Sequence, residues 1–334
     1  MKTILLAADI YENGPEGFTQ EWESEKSLLL LQDSLASLGH TVFLVERPEK
    51  VTQFILEFLQ NKPREELIVF NLVEGYHSRN REGYIPNLCE YLGVSYTGSD
   101  AYAQAVCLDK YLLKLICKDL DIVTPKSKLL TKTANAFPGM EFPLFLKPNG
   151  EGSSLGINEE NILHSAKDFE RMSDKLFARF ETLLMEEFIP GEDITVGLIG
   201  HYENYQITDP SRITYSGTTY SEEIKSKTGM PEILHFDLPV GIALSLKRIC
   251  LKIANHLKIV GPARFDFRKK GEELYFLELN LTPGLSKIYS TLPKCWENSG
   301  KNYEEMLQMI LFSAEKRFKN FPEQHYGKGI PFNE

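Results

Sequence analysis

Two short stretches offer oxygen ligands side by side. In "ARFDFR", Arg264, Asp266 and Arg268 alternate with Phe265 and Phe267; in "ELYFLELNLTPGLS", Glu278 and Asn280 alternate with Leu277 and Leu279. Successive side chains of a strand point to opposite faces, so each stretch predicts one packing face and one polar face. The "KKGEE" between them, with Gly271 able to take a positive φ, predicts a hairpin turn. Asp266, Glu278 and Asn280 then meet at one spot. Carboxylates withdrawn from water need partners, and three hard oxygen ligands beside an arginine suit a divalent cation and a phosphate. Mg²⁺ fits best, because it keeps several waters and takes few carboxylates. On these strands alone, a hairpin whose acids merely pair with arginine fits equally well.

A second stretch bears on phosphate. "KPNGEGSSLG" follows an apolar strand and offers Gly150, Gly152 and Gly156 for close backbone approach, with hydroxyls from Ser153 and Ser154. It lacks GxxxxGK[ST] and misses GxGxxG by one residue, so taken alone it reads as a turn. Lys147 at the strand end and Lys110 upstream add two point charges for one nucleotide. In "LLMEEFIPGEDITV", Glu186 and Glu187 end an apolar strand and Asp193 follows a Pro-Gly turn. The backbone there can bind an adenine edge, and Glu186 or Asp193 can take ribose hydroxyls. Solvated acids at a strand end are the plainer alternative.

The elements that must position these residues read as three units: 1–100, 101–185 and 186–334. The first alternates strand and helix: "TILLAA", a helix over about 21–38 closed by Gly39, "HTVFLVE", a helix in "VTQFILEFLQ", "LIVFNLV" and a helix near 86–92. This βαβ series predicts a parallel sheet covered on both faces. The second unit holds a helix over 109–120, the strand "FPLFLKP", the Gly-Ser loop, a helix over about 166–180 capped by Ser165 with Asp168, and a strand from Thr182. The third continues with "DITVGLIG", a polar stretch at 209–232, a helix with Ile242, Leu246, Ile249, Ile253 and Leu257 on one face, the hairpin and a final helix.

Composition bounds the reading. With 42% hydrophobic and 25% charged residues the 334-residue chain is a folded protein rather than a disordered one. A net charge of −10 argues against nucleic acid as a partner. No apolar run is long enough for a membrane span, and the opening "MKTILLAADIYENG" is too short for a signal sequence, so a cytoplasmic protein is expected. Five cysteines with no CxxC pair point to reduced thiols rather than zinc or disulfides.

The ordered set "CLDKYLLK", "FLKPNGEGSSLG", "MEEFIPGEDITVG", "ARFDFR" and "FLELNLTPGLS" resembles D-alanine–D-alanine ligases of the ATP-grasp superfamily, and "GVSYTGSDAYAQAVCLDKYLLKLI" is similar to that family's entry to its central domain. The resemblance implies an α/β ATP-grasp fold, with an N-terminal parallel-sheet domain followed by two α+β domains that enclose ATP. It implies that Lys110 and Lys147 contact the ATP phosphates, with Ser153 and Ser154 in a lid over them. Glu186, the backbone at Glu187 and Ile189, and Asp193 would hold adenosine. Asp266, Glu278 and Asn280 would bind two Mg²⁺, with Mn²⁺ as an alternative, while Arg264, Ser153 and the Gly284 amide would serve catalysis. The implied reaction phosphorylates one amino acid's carboxylate, and the amine of a second displaces phosphate to form an amide. Small amino acids are then the partners, a homodimer the assembly and cell-wall synthesis the setting.

Departures gather at the amino-acid site. The family's Gly-Gly and its acidic segment near the first strand are missing from "AADIYENG"; "FNLVEG" has Glu74 where histidine is usual; "EEIKSK" has Ser226 where tyrosine is expected; Asp193 replaces glutamate. "LSKIYSTLP" is one residue longer than the family's segment, leaving Lys287 or Ser290 to hold a substrate carboxylate, and Glu74 either binds an amine or pairs with Arg79 or Arg81. A catalytically inactive ATP-binding module acting on a partner is the alternative these departures suggest.

Overall fold

The structure, a computed structural model, describes residues 1–14, 22–75, 78–152, 156–202, 204–214 and 233–320. Strands β1 (Thr3–Ala8), β2 (Thr41–Glu46), β3 (Leu67–Leu72) and β4 (Ser95–Tyr96) form a parallel sheet in the order β2-β1-β3-β4. Every residue of β1 and β3 is buried, because helices cover both faces. Leu28, Leu31 and Leu35 of α1 (Glu25–Ser37) pack on the face of Ile4, Leu6 and Ala8. Val51 and Ile55 of α2 (Pro48–Asn61), with Ile85 and Cys89 of α3 (Tyr84–Leu92), pack on the face of Leu5 and Ala7. The α/β reading of this region holds.

Two short helices follow, α4 (Ala101–Leu108) and α5 (Lys110–Asp119), of which the sequence predicted only the second. Asp109 ends one and caps the next, its side chain accepting from Leu112 N at 2.9 Å. The central sheet, β5 (Ser127–Thr131), β6 (Leu144–Pro148), β7 (Ile162–Leu163) and β8 (Thr182–Glu187), runs antiparallel in the order β5-β8-β6-β7. Helix α6 (Ala166–Phe177) covers one face with Phe169, Met172 and Leu176. Ser165 caps it as expected, its Oγ accepting from Asp168 N at 3.2 Å, while Asp168 reaches back to His164 N at 3.1 Å.

The third sheet is built from β9 (Glu192–His201), β10 (Asn204–Ile207), β11 (Ser211–Thr214), β12 (Ile233–His235), β13 (Gly261–Lys270) and β14 (Glu273–Asn280), in the order β12-β11-β9-β13-β14 with β10 on β9. Helix α7 (Val240–His256) packs Ile242, Leu246 and Ile253 beneath it; α8 (Thr291–Asn298) and α9 (Tyr303–Asn320) complete the chain. Packing cuts across the divisions at 100 and 185 expected from the sequence. Ala103, Val106, Leu113 and Cys117 of α4 and α5 join the core of the third sheet, and Met306, Leu307 and Ile310 of α9 join that of the first. Amphipathic helices follow the apolar surface they meet, not chain order.

The hairpin corrects one expectation. Asp266 pairs with Glu278 but Phe267 pairs with Phe276, so Leu277 is an extra residue in β14, a β-bulge. Strict alternation would bury Leu277 with Leu279; instead Phe276 and Leu279 are buried and Leu277 turns with Glu278 into the cleft.

Candidate functional site

A cleft, partly open to solvent, lies between the central and third sheets. Its apolar walls include Phe145, Phe188, Ile189, Phe267 and Leu277, and its polar residues gather in two groups.

The first group sits where β6 and β8 pair, with Phe145 opposite Glu186. Lys147 Nζ lies 2.6 Å from Glu186 Oε1, and Lys114 Nζ lies 3.1 Å from Oε2. The Lys114 contact is an ion pair without hydrogen-bond alignment. All three side chains are 6% exposed or less, so solvent screening is weak and the pairing obligatory. Burial alone would raise the Glu186 carboxyl, but Lys114 and Lys147 outweigh it and hold it below the usual carboxylate range. Burial lowers the Lys114 ammonium, and Glu186 only partly restores it. Two ammonium groups on one carboxylate leave a net positive charge beside the cleft. Lys110, at the start of α5, donates to Glu151 O and lies 3.5 Å from Glu278.

The second group lies on the paired strands β13 and β14, where Arg264 stands opposite Asn280 and Asp266 opposite Glu278. Arg264 donates through Nε at 3.1 Å and Nη2 at 2.8 Å to Asp266; Thr195 Oγ1 donates to it at 2.8 Å and Asn280 Nδ2 at 3.2 Å. Asn280 therefore turns its carbonyl oxygen away from Asp266. At the cleft's other edge, Arg268 binds Asp193 at 2.6 Å and donates to Ile189 O at 3.1 Å, while Glu187 N donates to Lys126 O at 2.9 Å. Among the described residues no group of three or more His, Cys, Asp or Glu could hold a metal. The all-oxygen set of Asp266, Glu278 and Asn280 has the chemistry of a Mg²⁺ site rather than a zinc site.

The residues expected to meet amino acids divide. Ser290 stands against Gly284, where an added Cβ would come within 2.6 Å of its Oγ, and it accepts from Ser286 N at 3.0 Å. Lys287 is turned to α9 instead, 3.3 Å from Glu304 and 5.2 Å over the Tyr303 ring, so it does not share a site with Ser290. Glu74, partly exposed, gives its N–H to Asp9 Oδ2 at 3.0 Å, and Gly75 N adds a second bond at 2.8 Å. Arg81 reaches Gly150 O at 3.1 Å and Glu151 at 3.5 Å. Ser153 and Ser154, the lid hydroxyls, lie outside the described residues, as do Ser226 and positions 215–232 of the polar stretch.

Sequence reasoning missed several participants. Lys114 follows Lys110 by one helical turn, a signal available in "KYLLK". Glu23, 8% exposed, accepts from Leu285 N at 3.1 Å and from the Tyr289 hydroxyl, which places a carboxylate at the wall where the sequence read none. Thr195 had no local signal. The five cysteines are buried free thiols, and burial holds Cys107 and Cys250 far above the reactive range. No helix among the described residues is long and apolar enough to cross a membrane.

Comparison with known proteins agrees with this geometry. The family model described as D-ala D-ala ligase C-terminus matches residues 118–312. The chain is 30% identical over 283 residues to a D-alanine–D-alanine ligase of Aquifex aeolicus, covering 83% of this chain and 91% of that protein. It is 29% identical over 306 residues to one of Rhizorhabdus wittichii, covering 88% and 94%. The crystal structure of a D-alanine–D-alanine ligase from Bacillus anthracis complexed with ATP superimposes with a TM-score of 0.74 at 21% identity, covering 96% of this chain and 99% of that one. The chain thus belongs to the D-alanine–D-alanine ligase family, ATP-dependent enzymes that form carbon–nitrogen bonds.

Proposed function

We propose that the protein joins two amino-acid-like substrates through an acyl phosphate, with D-alanine the first candidate for both because the relatives above are named for it. The observation that supports this reading best is that Lys147 lines one cleft together with the carboxylates Asp266 and Glu278, the latter 3.5 Å from the Lys110 ammonium. A protein that only bound nucleotide would have no need of both sets, which weighs against the inactive alternative.

Lys110 and Lys147 take the phosphates, and Glu186, both of whose oxygens are already on ammonium groups, aligns Lys147 and Lys114 instead of binding ribose. Asp193, braced by Arg268, takes ribose hydroxyls, and the backbone of Glu187 and the N–H of Ile189 meet the adenine. Asp266, Glu278 and the Asn280 carbonyl hold Mg²⁺, which when bound neutralises charge on the phosphate oxygens. A substrate carboxylate oxygen attacks the γ-phosphorus and ADP leaves. The second substrate's neutral amine attacks the acyl carbon, the C–O bond to phosphate breaks and the amine loses a proton. Arg264 and the Gly284 N–H face the oxyanion formed between these events. Ser290, Glu74 and Glu23 line the amino-acid wall. A cytoplasmic site, where ATP and free amino acids meet, a homodimer and a role in cell-wall synthesis belong to the same reading.

The test is phosphate release from MgATP by the purified protein with D-alanine, L-alanine and a small amino-acid panel, singly and in pairs, with products weighed by mass spectrometry. Release with D-alanine alone and formation of its dipeptide supports the full reading. Release only with another pair keeps the chemistry and replaces the substrate, and no release with any pair overturns the ligase assignment.

A further inference from the structure

The short turn over Arg81–Gly83, just before α3, touches two loops far away in sequence. The Arg81 side chain is only 7% exposed. Its Nη1 donates to Gly150 O at 3.1 Å and its Nη2 lies 3.5 Å from the Glu151 carboxylate. Gly150 and Glu151 follow Lys147, and Glu151 O also accepts from the Lys110 ammonium. The next residue, Glu82, accepts from Thr282 Oγ1 at 3.4 Å, two positions beyond Asn280. One dipeptide of the N-terminal region therefore binds both the loop after the phosphate-facing strand and the loop after the cation-facing strand.

The segment 150–152 is glycine-rich and lies outside any helix or strand. Glycines at 150 and 152 leave the backbone many alternatives, and a Cβ built on Gly150 would meet nothing. Among the described residues, Arg81 and Lys110 supply bonds to this loop from outside it. A planar guanidinium suits the task, since its fork can hold a backbone carbonyl and a carboxylate together.

We propose that Arg81 is a positioning residue that latches the backbone of Gly150 and Glu151, and through it Lys110, over the bound nucleotide, with Glu82 tying the same latch to the amino-acid wall at Thr282. This rests on the ligase reading for its purpose: an acyl phosphate must be kept from water until the amine arrives. Loosening the latch therefore speeds nucleotide escape and lets phosphate be released without amide.

The test uses the full-length protein and the variants Arg81→Met, Arg81→Lys, Glu151→Gln and the Arg81→Met/Glu151→Gln double. The first readout is the release rate of mant-ADP with Mg²⁺, which needs no amino acid; the second is the ratio of phosphate released to amide formed. Melting curves identify folded variants. Arg81→Met should speed mant-ADP release by about tenfold or more, as expected for losing a charge-assisted hydrogen bond, and Glu151→Gln by about threefold, as for a partly exposed ion pair at 3.5 Å. The double should be no faster than Arg81→Met, because the partners act through one contact, and Arg81→Lys should lie between. The phosphate-to-amide ratio should rise in the same order. Wild-type release rates in folded variants, or independent multiplication in the double, overturn the latch. If Arg81→Met does not fold, Glu151→Gln and Arg81→Lys decide, since both leave the buried cation in place. A wild type that makes no amide while mant-ADP release follows the expected order removes the ligase reading and leaves the latch standing.

Discussion

Glu186→Gln isolates the part of the site whose energetics are most exposed to test. The wild-type carboxylate neutralises Lys147 at 2.6 Å and Lys114 at 3.1 Å, with all three groups almost sealed from solvent. Removing one partner of a buried pair and leaving the other charged costs about 3–5 kcal/mol, and here two cations lose their counter-charge. At roughly 2 °C per kcal/mol for a chain this large, the melting temperature should fall by about 6–10 °C. The protein holds its own control. Glu160 also carries two cations, Arg171 at 3.3 Å and Lys175 at 2.8 Å, but all three are about half exposed. Connectivity is the same and burial is not, so Glu160→Gln should leave the melting curve unchanged and Glu186→Gln should not. High salt should leave the difference intact, because buried charges are poorly screened. MgATP should narrow it, because phosphate oxygens supply the missing counter-charge and binding to the folded state alone is stabilising. Calorimetry or circular dichroism melting reads all of this. Equal losses from the two variants, or a loss below about 1 kcal/mol for Glu186→Gln, would show that the burial argument is wrong.

Three further perturbations address other parts of the site. Glu278→Gln should lower phosphate release by more than about a hundredfold with a smaller loss of melting temperature than Glu186→Gln, since Glu278 is partly exposed although its partner Lys110, 3.5 Å away, is buried; normal turnover at low Mg²⁺ would remove it from the cation set. Asp9 is raised from its ordinary value of 3.8, chiefly by burial, against the opposing bonds from Gly75 and Glu74. A raised folded-state carboxyl means that ionisation costs stability above that raised value, and that the cost disappears as the pH falls towards 3.8. Asp9→Asn keeps an acceptor for both N–H groups, so it should melt at or above wild type at pH 7 with the gap closing in acid; a clear drop at pH 7 contradicts the desolvation account. Gly284→Ala should destabilise the wall and slow turnover, because its Cβ would meet Ser290 Oγ at 2.6 Å. Adding Ser290→Ala should restore the melting temperature if that clash is the cause.

How much of this was legible in the sequence depended on whether the determining partner was nearby. Arg264, Asp266 and Arg268 were found by alternation because β13 pairs with β9 without a register shift over all three. The same rule failed at Leu277, since a bulge is a mismatch between two strands and neither sequence alone displays it. Lys114 shares a helical turn with Lys110, yet a lysine there reads equally as a solvated one. Glu186, on a strand of the central sheet, is what makes its burial tolerable. Glu23 is harder still, because its partners at Leu285 and Tyr289 lie 262 and 266 residues away. Helix faces followed the same division. Helices α5 and α9 were visible, but an apolar stripe specifies that something must cover it, not which sheet will. Local periodicity therefore fixes what each element is, and buried polar groups fix what it must touch. The second constraint is the stronger one at this site: an unmatched charge in the core costs several kcal/mol, while a helix turned to a different apolar neighbour loses far less. Substitutions at Glu186, Glu23 and Arg81 should for that reason disturb the relative placement of the sheets more than comparable changes in α4 or α9.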